Sequence, residues 1–469
     1  MSKLKIKPKE LTALGFPQNS AISMAITLLE KEFKYSTFHE VEPILRGLAK
    51  TPEKYWKDAT WGKIAERIKP RPEVVKEHLR LLEKAVPFAV FGQENIEIQA
   101  WEQMKTAMKL PIAVAGALMP DAHMGYGLPI GGVLATDNAV IPYGVGVDIG
   151  CRMCLSVFPI PATEFKKHEK AFEKSLLGNT IFGTGGAWNQ SQNHEVIDNP
   201  LFNELPLLRD LQKKAARQLG TSGSGNHFAE FGIADFPTDD RALSIKAGQY
   251  VALLTHSGSR ALGANIAKYY TQAAMRKRRL PDFARHLAWL TLDEAEGAEY
   301  WAAMNLAGDY ASACHHTIHH KITRELKTQH TIRIENHHNF AWKERLADGR
   351  EVIVHRKGAT PAKVGELGII PGSMTAAGYI VRGKGEPSAI NSAAHGAGRR
   401  LSRSDAKQSL TNSALQNILT ENGVKLFGGG LDEGPHAYKN IESVMAAQTD
   451  LVEVLGTFLP KIVRMAGEE

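Results

Sequence analysis

Cysteine is scarce in this chain: Cys151, Cys154 and Cys314 are the only three in 469 residues. Three thiols cannot frame a disulfide-built fold, and they fit a reducing compartment. The sequence also lacks an apolar run long enough to span a bilayer and a secretory hydrophobic segment near its start. The expectation is a cytoplasmic, soluble protein with no membrane partner. Neither sign of charge dominates, with 57 Lys and Arg against 50 Asp and Glu, and 43% of residues are hydrophobic. That is an ordinary globular composition, long enough for a large core or two to three domains.

The net charge of +7 is unevenly placed. Residues 1–90 hold 17 Lys and Arg against 11 Asp and Glu, which leaves the rest of the chain nearly neutral. Such a basic module suits a polyanionic partner, although a merely solvated helical surface explains it equally well. Its patterning is helical. Asn19 or Ser20 is placed to cap a helix carrying Ile22, Ala25, Ile26, Leu28 and Leu29. Pro72 and Glu73 open a second helix with Val75, His78, Leu79 and Leu82 on one face. Trp56 and Trp61 are expected in the core of this unit. From about Glu97 the texture changes to short apolar strands broken by Gly and Pro, mixed with helices. The fold class expected is therefore α+β, with residues 1–90 as a helical extension and 91–469 as the main domain.

The stretch Ile141–Cys154, IPYGVGVDIGCRMC, puts a hard carboxylate (Asp148) and a soft thiolate (Cys151) on one glycine-rich turn. That pair suits a divalent transition metal; the plainer alternative is a buried strand with a structural cysteine. Histidines recur in similar settings. Asp121 and His123 lie in MPDAHMGYGLPIGG. Asn226, His227 and Glu230 follow a glycine-rich loop that exposes backbone N–H groups, and His256 ends the buried run VALLTHS. His337 and His338 are adjacent on a strand, so only one of them can face a given site. His315/His319 and His316/His320 form i, i+4 pairs without a carboxylate among them; a polar helix near the site, facing RNA, is the preferred reading. His395 stands among small residues in NSAAHGAGRR, accessible enough to act as a nucleophile, with Arg399 four residues on to neutralise phosphate.

Taken in order, MPDAHMGYGLPIGG, GVGVDIGC, GNHFAE, HSGSR, HHN and GSM through HGAGRR resemble the RtcB-type RNA-splicing ligases over roughly residues 95–469. The resemblance implies a sheet-rich core with flanking helices and a site for two Mn²⁺ ions. Asp148, Cys151 and His227 would hold one ion; Cys151, His256 and His338 the other, with the thiolate bridging. His338 is preferred over His337 because it directly precedes Asn339. His395 matches the nucleophile that takes GMP from GTP. The nucleotide-contacting residues implied are Asn226, His227, Phe228, Ala229, Glu230, His338, Pro371, Gly372, Ser373, Met374, Gly378, His395, Gly396, Ala397, Gly398, Arg399 and Tyr438. The implied reaction joins an RNA 3′-phosphate or 2′,3′-cyclic phosphate end to a 5′-hydroxyl RNA end, in tRNA splicing or RNA repair, with an archease-like activator as a further implied partner. Two other readings stand beside it: a metal-dependent phosphoesterase acting on RNA ends, and an RNA-binding protein with a decayed site.

Three features depart from the family pattern. The chain ends KIVRMAGEE, so Met465 stands where the family carries a nucleotide-contacting lysine, with Arg464 and Lys461 as out-of-register neighbours. Gly378 replaces a serine. Residues 1–90 are additional. The first two predict retained catalysis with loosened or rebuilt guanine selectivity; the third predicts help in holding RNA.

Overall fold

The computed structural model describes residue 4 and residues 6–17, 19–69 and 79–467. The chain divides into two compact units, Met1–Glu77 and His78–Glu469. The division lies upstream of residue 90 because residues 79–86 already join the second unit by backbone hydrogen bonds: Leu79 N–H to Arg279, Leu82 to Lys109 and Val86 to Met108, at 2.7–2.9 Å.

The first unit is helical, with helices Pro8–Ala13, Ser20–Glu32, Phe38–Lys50 and Gly62–Ile68. Asn19 caps the second helix, its side chain accepting from Ala21 N–H at 2.8 Å. Ala21, Ala25 and Leu29, four apart, turn one face inward against Val41, Leu45 and Leu48. Trp61 is buried in this core, whereas Trp56 is only half-buried, its indole N–H donating to the Lys69 carbonyl at 3.0 Å. The helix expected from Pro72 falls largely outside the described residues, and Leu79–Leu82 are not helical.

The second unit is built on two large sheets, as expected for an α+β fold. The five-stranded sheet runs β1 (Ala89–Val90), β2 (Ala113–His123), β3 (Ile130–Thr136), β11 (Glu351–Lys357), β10 (Asn339–Arg345). The eight-stranded sheet runs β13 (Leu367–Ile370), β14 (Gly378–Gly383), β17 (Val452–Met465), β6 (Phe228–Phe236), β7 (Gly248–Ser257), β5 (Arg152–Pro161), β9 (Ile332–His337), with β16 (Lys425–Phe427) beside β17. Two small ribbons pair β4 (Ala139–Val140) with β8 (Leu290–Thr291) and β12 (Ala359–Pro361) with β15 (Ser392–Ala394). The closing strand, β17, has 14 residues.

Both faces of the large sheet are covered, so its central strands read as continuous apolar runs. Met153, Leu155, Val157, Ala252 and Leu254 pack on one side; Phe158, Phe231, Val251 and Leu253 pack on the other, against Ile318 and Ile322. Those last two belong to the 32-residue helix Ala295–Leu326, the longest in the chain. The turn that carries Asp148 and Cys151 is pressed against this helix at two glycines. Gly150 has φ +69°, and a Cβ on it would meet the Gly308 Cα at 2.9 Å. No helix among the described residues is long and apolar enough to cross a membrane.

Candidate active site

The site forms where four backbone segments end at one edge of the large sheet. Register brings them together: Met153 pairs with His256, Arg152 with Ser257 and His337, and Phe228 with His256. Cys151 immediately precedes β5, and its carbonyl accepts from His338 N–H at 3.0 Å. His227 immediately precedes β6, and His256 is the penultimate residue of β7.

The donor atoms of these residues converge. Cys151 Sγ lies 3.4 Å from His227 Nε2 and 3.2 Å from His256 Nε2. His256 Nε2 lies 3.2 Å from His338 Nε2, and Asp148 Oδ2 lies 3.0 Å from His227 Nε2. Cys151, His227 and His256 thus form a cluster able to hold a metal ion. Of the adjacent pair, His338 lies with the cluster, while His337 turns away to pack on Phe340 and Trp342.

This donor set fits a divalent cation. Burial pushes His256 and His338 well below the usual histidine range, which keeps both rings in the neutral, ligating form. His256 Nδ1 donates to the Asn226 carbonyl at 3.0 Å, which leaves the Nε2 lone pair facing the cluster. Burial, then the Asp148 carboxylate, pushes the Cys151 thiol well up. A cation bound there would offset both effects and favour the thiolate. His227 is the exception. Gly223 N–H donates to its Nδ1 at 3.1 Å, so the neutral ring carries its proton on Nε2, toward Asp148. To hold a cation at Nε2, that proton must leave and the Gly223 hydrogen bond must open.

His395 stands beside the cluster, its ring centroid 4.8 Å from that of His338. Asp121 Oδ2, from β2, accepts from His395 Nδ1 at 2.7 Å and from its backbone N–H at 3.1 Å. The Nδ1 proton is thereby fixed, and Nε2 is left with its lone pair. Asp121 Oδ1 is buried without a hydrogen-bond partner among the described residues, as is His338 Nδ1.

A cavity of about 410 Å³ joins these parts. All the residues expected to touch the nucleotide line it except Ala229. Ala229 lies between Phe228 and Glu230 on β6, so its side chain faces the other side of the sheet, with Phe231 and Ile462. Gly372, Ser373 and Met374 come from the loop after β13, Gly378 opens β14, and Gly396–Gly398 follow His395. Arg399 lines the cavity but is already engaged, with Glu433 at 3.2 Å and the Asp432 carbonyl at 2.7 Å. Tyr438 donates its hydroxyl to Glu433. Glu230 sits on the floor, paired in register with Leu254 and Val463, and burial raises its carboxyl well above the usual range. Met465 pairs with Phe228 on the same floor. Arg464, one residue earlier, points to the opposite face, reaching the Leu176 and Leu177 carbonyls and the Phe182 ring, so it does not enter the cavity.

Sequence patterning missed the role of Asp121, because its partner lies 274 residues away. It missed Lys357 as well, which lines the cavity, donates to the Tyr126 and Tyr143 carbonyls at 2.6 and 3.2 Å, and is pulled down to about 7 by burial. His315 and His319 do not face RNA. They are fully buried behind β7, linked through Thr255, whose hydroxyl lies 2.6 Å from His315 Nδ1 and 2.9 Å from His319 Nε2. His316 pairs with Glu335 at 2.8 Å.

Comparison with known proteins shows the family. A family model described as tRNA-splicing ligase RtcB matches residues 103–204 and 203–466. The chain is similar to the RNA-splicing ligase RtcB of Escherichia coli K12, with 33% identity over 410 residues, covering 79% of this chain and 95% of the relative. It is similar to the tRNA-splicing ligase RtcB of Methanococcus maripaludis, with 31% identity over 461 residues, covering 82% and 95%. For the protein of that name from Thermococcus kodakarensis the figures are 30% over 435 residues, 77% and 90%. The chain therefore belongs to the RtcB family of RNA-splicing ligases.

Proposed function

We propose that this RNA ligase joins an RNA 3′-phosphate to a 5′-hydroxyl RNA end through a nucleotide carried on His395. A 2′,3′-cyclic phosphate is accepted after hydrolytic opening. The observation that carries the reading is the Asp121–His395 pair set beside the Cys151–His227–His256–His338 cluster.

With Nδ1 donating to Asp121, the His395 Nε2 lone pair attacks the α-phosphorus of a nucleoside triphosphate. A P–N bond forms and pyrophosphate leaves. An oxygen of the RNA 3′-phosphate then attacks the same phosphorus, the P–N bond breaks, and the RNA end becomes an activated diphosphate. Attack by the 5′-hydroxyl on the RNA phosphorus makes the new phosphodiester. It releases the nucleoside monophosphate and a proton. Asp121 offsets the positive charge that gathers on the imidazole while the P–N bond exists. Two divalent cations, Mn²⁺ by the family resemblance, would supply neutralisation for the triphosphate and the departing pyrophosphate. Asp148, Cys151, His227, His256 and His338 are the residues that would hold them. GTP is the nucleotide that the resemblance implies, and Asn226, Glu230, Ser373, Arg399 and Tyr438 are its candidate polar contacts in the cavity.

A gel assay with 3′-phosphate and 5′-hydroxyl RNAs, Mn²⁺ and nucleotide tests the reading. Joined product from the native protein and none from His395→Ala supports it. Removal of the 3′-phosphate without joining would support a phosphoesterase instead.

A further inference from the structure

A second cleft, of about 590 Å³, opens beside the catalytic cavity and plays no part in the chemistry above. One wall is a face of the helix Arg260–Lys277 that presents Lys268 and Thr271; the other is formed by Tyr143, Val147, Arg285 and His286. We propose that this cleft is the track for the single-stranded RNA leading to one of the two ends being joined, an inference that rests on the ligase reading.

Four observations converge on that occupant. The first is continuity. Val147 lines both the cleft and the catalytic cavity, and Asp148, at the metal-donor cluster, is the next residue. A strand lying in the cleft therefore leads to the reacting phosphate. Lys357 fixes this junction, its ammonium held by the carbonyls of Tyr126 and Tyr143 from the cavity side.

The second is aromatic surface. Tyr126, 68% exposed at the mouth, lies 6.4 Å from the His286 ring at an interplanar angle of 36°. Tyr143 meets His286 edge-on at 4.6 Å. Ring faces open to solvent beside a basic groove are what single-stranded bases stack on, at about 1–3 kcal/mol per base.

The third is charge. Lys268 is exposed and makes no ion pair among the described residues. Arg285 is exposed as well, with its Nε on His286 Nε2 at 3.2 Å. Among the described residues no carboxylate lines the cleft. The chemistry suits phosphate oxygens and disfavours an acidic or purely apolar ligand.

The fourth is a pair of unmet hydrogen-bonding atoms. The Thr271 hydroxyl is buried without a partner among the described residues, and so is His286 Nδ1. Since His286 Nε2 accepts from Arg285, Nδ1 carries the ring proton and is a donor with no acceptor. Buried polar atoms left in this way cost stability unless a ligand or water meets them. Both residues line the cleft, which is where such a ligand would lie.

The double variant Lys268→Glu/Arg285→Glu alters two exposed side chains outside the catalytic machinery, so the fold is not at risk. Its affinity for a 3′-phosphate single-stranded RNA is measured by anisotropy at several salt concentrations, beside Tyr126→Ala. The charge-reversal variant is expected to bind at least 10-fold more weakly, with a salt slope smaller by about 1 to 2 units. Tyr126→Ala is expected to bind about 5- to 100-fold more weakly with an unchanged slope. Self-labelling by nucleotide in the absence of RNA is expected to stay at the native rate in both. RNA affinity and salt slope at native values in both variants would overturn the cleft assignment. Because RNA binding is read directly, it decides on the cleft even if self-labelling of the native protein fails, a result that would sink only the His395 chemistry.

Discussion

Asp121 Oδ2 holds His395 by two hydrogen bonds at once, from Nδ1 at 2.7 Å and from the backbone N–H at 3.1 Å. The carboxylate thus sets both the tautomer and the position of the ring. An amide in its place can present N–H to Nδ1, which moves the ring proton to Nε2 and blocks attack. Asp121→Asn is expected to slow self-labelling by about 10²–10⁴-fold with little change in metal content or RNA affinity. Single-turnover labelling with radioactive nucleotide measures it; a rate within a few fold of native would show that the pair is only structural.

The buried histidines give a prediction about acid stability. His355 Nε2 accepts from Ile141 N–H at 2.9 Å, and Nδ1 donates to the Leu134 carbonyl at 3.1 Å, so both nitrogens are satisfied only in the neutral ring. Burial pulls His355 down to about 4, and His315 likewise. An unfolded histidine titrates near 6.5. As pH falls from about 6.5 to 4, the unfolded chain binds protons that the folded one does not, and stability declines; above 6.5 the contribution is constant. Each ring contributes on the order of 3 kcal/mol across that window. Urea midpoints at pH 7.5 and 5 should therefore drop in the native protein and drop less in His355→Gln, whose amide can make both hydrogen bonds. Equal drops would contradict the assignment.

How much of this was legible in the sequence depended on distance along the chain. Cys151, His256 and His338 sit in short motifs; strand parity says only that one of His337 and His338 can face a given site, and the choice of His338 comes from the family resemblance, through Asn339. Asp121 was visible as a residue but not as the partner of His395, because nothing local brings β2 to the loop after β15. Ala229 shows the opposite failure: it belongs to a stretch that does line the cavity, but period-two alternation turns it away. The histidine pairs on the long helix misled because i, i+4 spacing marks one face without saying whether that face meets water or core. The packing of Ile318 and Ile322 against the sheet decided it, and His315 and His319 went inside.

Met465 and Glu230 bear on the choice of base. Glu230 lies on an apolar floor between Leu254 and Val463 and makes no ion pair among the described residues, and Arg464 faces away. The native protein is expected to label with several nucleoside triphosphates at rates within about tenfold of one another, a spread of about 1.4 kcal/mol. Met465→Lys, which gives Glu230 a cation nearby, should shift the preference toward GTP. Strict GTP labelling by the native protein, as strong as in the variant, would contradict the loosened pocket.

The basic first unit is expected to add salt-dependent pairing with RNA phosphates. Removing residues 1–77 should weaken RNA binding and reduce its salt slope, by about 0.7 for each phosphate that the unit neutralises on a single strand, while leaving self-labelling intact. An unchanged slope would assign the unit a structural or partner-docking role.

The central claim is that His395 carries the nucleotide. After incubation with Mn²⁺ and α-labelled nucleoside triphosphate, peptide mass spectrometry should place an acid-labile, base-stable monophosphate adduct on His395. Adding 3′-phosphate RNA should move that label to the RNA end. An adduct on another residue, or RNA joining by His395→Ala, would contradict the account.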